Sequence, residues 1–259
     1  CKYLVDKKIN FFRGSAKNVL ERYYKCAIKF KLKDIIRITS DCPLIDIKIL
    51  EEVLLKYESE NLEYVCNTLP PTFPDGLDVE VFSFNTLKKT FDNTKKKHNL
   101  EHVTPYMRNK KRFKVGNVFS KKNYSALRWT LDEFDDYLFL NELNKKIDLA
   151  SASYEKIIAT IKKYPSLRNI NNKITRNEGA SLGEGQKLWK RAKNIIPGGN
   201  MLLSKRSEMF LPNLWPSYFK SSKFNQVMDL DGNKYTDFIF SVGQNILGYR
   251  NQYVEKKVI

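Results

Sequence analysis

Apolar positions along the first 165 residues switch repeatedly between two spacings, and the switching predicts a layered α/β domain. Val19, Leu20, Tyr23, Tyr24, Ala27 and Phe30 recur at helical spacing, predicting an amphipathic helix over 16–31 with Ser15 as its N-cap. Ile35, Ile36 and Ile38 form a compact β-branched run, predicting a buried strand over 34–39. Helical spacing returns in Ile47, Leu50, Val53 and Leu54, and Glu63–Asn67 reads as a further strand closed by Pro70, Pro71 and Pro74. This alternation is the pattern of a parallel sheet with helical crossovers. Leu77, Val79 and Val81 then alternate with Asp78, Glu80 and Phe82, a strand carrying two carboxylates on one face. Helices are expected over 84–93, 99–109, from Tyr137, and near 153–163; strands over 9–12, 112–119 and 125–130.

Beyond Tyr164 the pattern fades into Asn-rich and Gly-rich punctuation, so 1–165 is expected to be one domain and 166–185 a linker. Residues 186–259 offer a helix around Leu188–Ile195, a break at Pro197-Gly198-Gly199, and a hairpin signal in Val227–Tyr235 about Asp231-Gly232. That segment reads as the start of a second domain whose remainder lies elsewhere. The chain opens on Cys1, and both ends look cut, so a fragment of a longer protein is expected.

The formal net charge of +17 changes the picture little. It is carried mainly by scattered Lys, since only 11 of 46 basic residues are Arg, and reads as a solvated surface more than a phosphate-binding face. Four unpaired cysteines and two His indicate neither a disulfide framework nor a His-rich metal site. No apolar run approaches the roughly 18 residues of a membrane span, and a cytoplasmic setting is expected.

Candidate chemistry lies at strand ends. Asp41 follows the run at 34–39 and Asp132 follows 125–130, positions where open α/β sheets bind ligands. Two such acids suffice for Mg²⁺ held jointly by phosphate oxygens. A turn-forming Asx at Asp41 and a helix N-cap at Asp132 remain open alternatives.

Six segments carry a resemblance: Arg13–Tyr24, Arg37–Asp46, Thr72–Phe82, Glu101–Met107, Arg128–Asp132 and Arg176–Gly179. In this order, over 1–179, they resemble the spore-coat-polysaccharide cytidylyltransferases, relatives of the CMP-Kdo and CMP-sialate synthetases. The resemblance implies a Rossmann-like nucleotidyltransferase fold that moves CMP from CTP to an acidic or amino sugar and releases pyrophosphate. It implies Asp41 and Asp132 as catalytic metal ligands for Mg²⁺, and Arg13 and Ser15 toward the nucleotide. Asp75, Gly76, Asp78, Glu80, Glu101 and His102 would line the sugar side; a structural role for His102 stays open. The family's first strand and glycine-rich phosphate loop have no counterpart before Arg13, so these 259 residues alone are expected to be inactive.

Ile196–Asn200, Leu203–Arg206, Trp215–Phe219, Asp229–Asp237 and Gly243–Gly248 resemble the opening of glutamate-1-semialdehyde aminotransferase-like, class III enzymes. Those enzymes use pyridoxal phosphate on a lysine well downstream of this opening, so no such cofactor is expected to bind here. Ser241–Gly243 would lie near the substrate entrance. Together these imply a bifunctional surface-polysaccharide enzyme that binds CTP and a sugar, no nucleic acid and no membrane, with a homodimer as the candidate assembly. The competing readings are transfer to another sugar or polyol phosphate, and a non-catalytic basic nucleic-acid-binding module.

Overall fold

The computed structural model describes residues 2–174, 176, 183–200, 202–211 and 214–258. The chain divides into two compact units, 1–176 and 177–259.

The first unit is built on a four-stranded sheet of β1 (Asp34–Arg37), β2 (Tyr64–Cys66), β3 (Glu80–Ser83) and β4 (Val115–Asn117), in the order β1-β3-β2-β4. β2 and β4 pair in parallel, whereas β3 runs antiparallel to both β1 and β2. The all-parallel sheet expected from the early alternation is thus mixed, because β3 inserts between two strands that adjoin in sequence. β1 lies at the sheet's edge, and Ile36 is 43% exposed where a buried strand was expected. An edge strand leaves one backbone rim unpaired and its side chains half covered.

Helices cover both faces. One face carries Val65, Val79 and Val81 against α3 (Ile47–Ser59), α6 (Phe134–Asn144) and α7 (Tyr154–Lys163). The other carries Ile35, Tyr64, Cys66 and Phe82 against α2 (Val19–Lys29) and α4 (Phe84–Asn93), with Val103 and Met107 beside them. Local chemistry sets these helices' starts. Asp46 accepts from the Lys48 N–H at 2.8 Å and, at the same distance, from the Tyr154 N–H, which joins the starts of α3 and α7. Ser83 caps α4 and Ser153 caps α7. Asn18, not Ser15, caps α2; the Ser15 hydroxyl instead accepts the Asn18 N–H at 2.9 Å, one turn earlier.

Three further expectations are corrected. Residues 9–12, after the short α1 (Lys2–Asp6), form no strand, since no ladder partner reaches them and Ile9 stays exposed. The helix expected over 99–109 is α5 (Lys97–His102), which stops where Pro105 disfavours helical geometry at Thr104. Residues 125–130 make a single parallel bridge, Asp75 to Arg128, in place of a strand. The expected linker is packed on this unit as far as it is described there: a 3₁₀ turn spans Pro165–Asn169, Leu167 is buried in the core, and Asn171 is buried.

In the second unit α8 (Glu184–Ile195) buries Trp189 and Ala192 and ends before Pro197. β5 (Phe219–Lys223), β6 (Gln226–Asp229) and β7 (Lys234–Thr236) form an antiparallel meander. The expected hairpin turns at Gly232, whose φ is +89°, and Asp229 ties it by accepting from the Asp231 and Asn233 N–H groups at 2.9 and 2.8 Å. α9 spans Gln252–Val258. Among the described residues no helix is long and apolar enough to cross a membrane.

Candidate active site

Since β3 runs opposite to β1, β2 and β4, its first residues share one end of the sheet with their carboxyl ends. Asp41, beyond β1, Asp75 and Asp78, ahead of β3, and Asp132, ahead of α6, meet there. A backbone bond ties the segments that carry Asp41 and Asp132: the Leu131 N–H donates to the Asp41 carbonyl at 2.8 Å.

Arg128 is the hub. Its buried guanidinium donates from Nε and Nη2 to the two oxygens of Asp136 at 2.9 and 2.8 Å. Nη1 reaches Asp75 at 3.2 Å, and Nη2 also reaches Asp132 at 3.3 Å. Asp136, fully buried at the third position of α6, further accepts from Asn171 at 2.9 Å and from the backbone N–H groups of Asp132 and Glu133 at 3.1 Å each. Glu133 is the N-cap of α6. Asp132 is therefore not the cap that its position suggested; its side chain stays half exposed at the end of the sheet.

The acids raise one another. Burial pushes the Asp132 carboxyl up, and Asp41 adds to this against the pull of Arg128. Burial also raises Asp75, opposed by Arg176 and Arg128 and reinforced by Asp132 and Asp41. Asp78 is pushed up to about 6, chiefly by burial, even though Arg176 pairs with it. Arg176 also bonds Asp75 Oδ1 at 3.3 Å and the Phe73 carbonyl at 3.2 Å. Like charges gathered in a partly desolvated place favour a cation between them. Among the described residues no three His, Cys, Asp or Glu side chains converge as metal ligands. Cys42 is buried beside Asp41, and burial pushes its thiol up to about 12, which leaves it inert as a nucleophile.

Gly76 has a backbone reason to be glycine. Its φ is +101°, and a Cβ there would stand 2.7 Å from the Thr130 nitrogen and the Trp129 carbonyl carbon. The close approach lets Asp75 exchange backbone bonds with Leu127 and Trp129, at 2.8 and 2.7 Å. Glu80 lies inside the protein and is saturated by Arg37, Tyr64, Thr104 and Arg108. Glu101 and His102 are half-buried on α5, where the His98 and His102 rings lie 4.6 Å apart. Ser15 is used locally, and Arg13 stands exposed in the loop before α2. Asn177, Glu178 and Gly179 of the quoted motif lie outside the described residues.

The structure adds Arg37, Arg108, Arg128, Asp136, Asn171 and Arg176, none of which had been given a role. Arg37, Arg128 and Arg176 each open one of the segments that carry the family resemblance, and Asp136 is the acid three residues after the α6 N-cap. Arg128 meets Asp75 across 53 residues, a pairing no local pattern encodes.

The sequence profile of the cytidylyltransferases matches residues 1–171. An uncharacterized protein of Methanocaldococcus jannaschii is 34% identical over 169 residues, covering 64% of this chain and 68% of that protein. The solved structure of a cytidylyltransferase from Leptospira borgpetersenii superposes with a TM-score of 0.61 at 32% identity, covering 64% of this chain and 71% of that one. The carboxyl-terminal part is similar to a glutamate-1-semialdehyde 2,1-aminomutase of Wigglesworthia glossinidia brevipalpis, 44% identical over 73 residues, and this chain spans only 16% of that enzyme. A 3-aminobutyryl-CoA aminotransferase of Cloacimonas acidaminovorans is 35% identical over 82 residues, of which 20% is spanned. By its profile match, its relative and its fold, the chain belongs to the cytidylyltransferase family.

Proposed function

We propose that residues 1–176 transfer CMP from CTP to an acidic or amino sugar, releasing pyrophosphate. In this reading they work within a bifunctional protein whose second part opens a class III, pyridoxal-phosphate-dependent aminotransferase. The observation that carries the first half is the union of Asp41 and Asp132 at the sheet's carboxyl edge, with Asp75 and Asp78 alongside.

The donor set suits Mg²⁺, a hard cation that takes one or two carboxylates and completes its shell with phosphate oxygens and water. Asp41 and Asp132 would hold it, and the ion would offset charge on the phosphates and orient the pyrophosphate leaving group. The chain's own residues do the positioning. Arg128 holds Asp132 from one side, Asp136 fixes Arg128, and Asn171 fixes Asp136. Asp75 shares Arg128 with Asp132 and so links the metal end of the site to Asp78 and Arg176.

The test is release of pyrophosphate from CTP with MgCl₂ and an acidic or amino sugar, run on the 259 residues and on any longer native chain containing them. Asp41→Ala and Asp132→Asn should each lower the rate by about 100-fold or more, the scale of losing charge stabilisation in a transition state. A longer chain that releases no pyrophosphate with any such acceptor, or that keeps its rate in Asp41→Ala, refutes the proposal.

A further inference from the structure

On the sheet face that carries α2 and α4, a second charged group adjoins the acids. The antiparallel register sets Arg37 of β1 directly opposite Glu80 of β3. One Glu80 oxygen accepts from Arg37 Nη1. The other accepts from the Tyr64 hydroxyl, from Thr104 Oγ1 at 2.7 Å and from Arg108 Nη2 at 3.0 Å. Burial alone would raise the Glu80 carboxyl; Arg37 and Arg108, helped by the two hydroxyls, outweigh it and hold it below the usual range. Glu80 is thus an anion that anchors two cations.

One carboxylate against two guanidiniums leaves a positive surplus, and Asp78 next along is already paired with Arg176. A guanidinium offers five N–H donors in a fixed plane. Glu80 takes one from each, while the Nε groups of both Arg37 and Arg108 are buried without a partner. Two cations held on one carboxylate keep hydrogen-bonding capacity beyond what Glu80 uses, and a further anion can take it up. The two side chains are 18% and 34% exposed, so both reach the surface in part.

The backbone that delivers Thr104 and Arg108 is itself strained. Val103 has φ +68° and ψ −59°, and the Thr104 N–H donates to the His102 carbonyl at 2.8 Å. This is a γ-turn of the rarer, costlier hand, at a fully buried β-branched residue. Strain of this kind survives where its surroundings over-determine it, and it clusters at ligand sites.

Asp75 and Asp78, beside Asp41 and Asp132, precede Glu80 along the chain, and Glu80 carries Arg37 and Arg108. The carboxylates suited to a metal lie at one end and the cationic surplus at the other. We propose that Arg37 and Arg108, held in place by Glu80, form an anion subsite that takes the acidic group of the acceptor sugar, a carboxylate or a phosphate. The assignment rests on the nucleotidyl-transfer reading, and Glu80 serves in it as a positioning residue.

Calorimetry on the 259-residue chain tests it, with gluconate as the carboxylate probe, glucose 6-phosphate as the phosphate probe and glucose as the neutral control. At least one of the two acids should bind about tenfold more tightly than glucose, and the tighter identifies the acidic group. Arg108→Gln should weaken that binding about tenfold, whereas Arg108→Lys, which keeps the charge and loses the fork, should weaken it less. Thermal unfolding of each variant separates lost binding from lost fold, and Arg37→Gln provides an independent variant of the same subsite. Affinity for CTP with Mg²⁺ should stay within about twofold of the parent in Arg108→Gln, because that charge acts at the other end of the site. The proposal is overturned if neither acid outbinds glucose, if both Arg108→Gln and Arg37→Gln keep anion binding, or if CTP affinity falls in step with it. Anion binding that meets these criteria, beside a longer chain that never releases pyrophosphate, would support the subsite while refuting nucleotidyl transfer.

Discussion

Asp136→Ala tests whether the buried Arg128–Asp136 pair holds this site together. The change removes the acceptor for Arg128 Nε and Nη2, for Asn171 Nδ2 and for the backbone N–H groups of Asp132 and Glu133. Arg128 stays buried, keeping only its longer bonds to Asp75 and Asp132. Stranding one partner of a buried ion pair costs about 3–5 kcal/mol. For a unit of this size that corresponds to a fall in Tm on the order of 10 °C. Urea and thermal unfolding followed by circular dichroism should show this loss at pH 7, whereas Glu51→Ala, on the exposed side of α3, should stay within about 0.5 kcal/mol. The sign with pH follows from the Asp136 carboxyl. Burial alone would raise it, but bonds from Arg128, Asn171 and the backbone hold it below its ordinary value. Its contribution is therefore present above the unfolded carboxylate range and fades as pH falls through the lower folded value. The difference between parent and variant should shrink accordingly on acidification. A double change, Arg128→Met with Asp136→Leu, should recover the part of the loss due to the stranded Arg128 charge without recovering activity, because Asp75 and Asp132 then lose their common anchor. A loss below about 1 kcal/mol in Asp136→Ala would refute this account of the hub.

Other outcomes follow from the same geometry. Gly76→Ala should destabilise the first unit by several kcal/mol, about 3 or more, since the added Cβ meets backbone atoms at 2.7 Å on a positive-φ residue; unfolding at parental denaturant concentrations would contradict it. The Asp78 carboxyl should titrate near 6 by carbon-detected NMR and move higher in Arg176→Ala, because Arg176 is the strongest influence lowering it. With a folded value raised above the unfolded one, this group makes stability fall as pH rises from about 4 to 6, and Asp78→Asn should flatten that fall. Mg²⁺ should bind more weakly in Asp132→Asn and release protons on binding in acidic buffer, since Asp132 is raised above its ordinary range; binding without proton release there would count against Asp132 as a ligand.

Much of the helical framework was legible because its signals are local. α4 occupies the expected span 84–93, with Ser83 as its cap. The hairpin about Asp231-Gly232 forms where turn chemistry placed it. Asp41 and Asp132 were singled out because each ends a short apolar run, and the Leu131–Asp41 bond brings their segments together. Sheet order was not legible. A strand's apolar residues state that it is buried and say nothing of which strand lies beside it, so β3 could not be seen to separate β1 from β2. Nor could the strand expected at 125–130 be seen to reduce to one bridge, which follows from the turn at Gly76.

The sequence by itself determined most of the helices and turns and the family, since propensity, capping and motif spacing act over a few residues. Tertiary structure alone decided what the acids of the site stand beside. Arg128 meets Asp75 and Asp136, Arg176 meets Asp78, and Glu80 gathers Arg37 and Arg108, because the antiparallel β3 carries its first residues to the carboxyl ends of its neighbours. Charge pairing depends on distance through space and on how much water remains between the groups. Both are set only when the chain has closed around them.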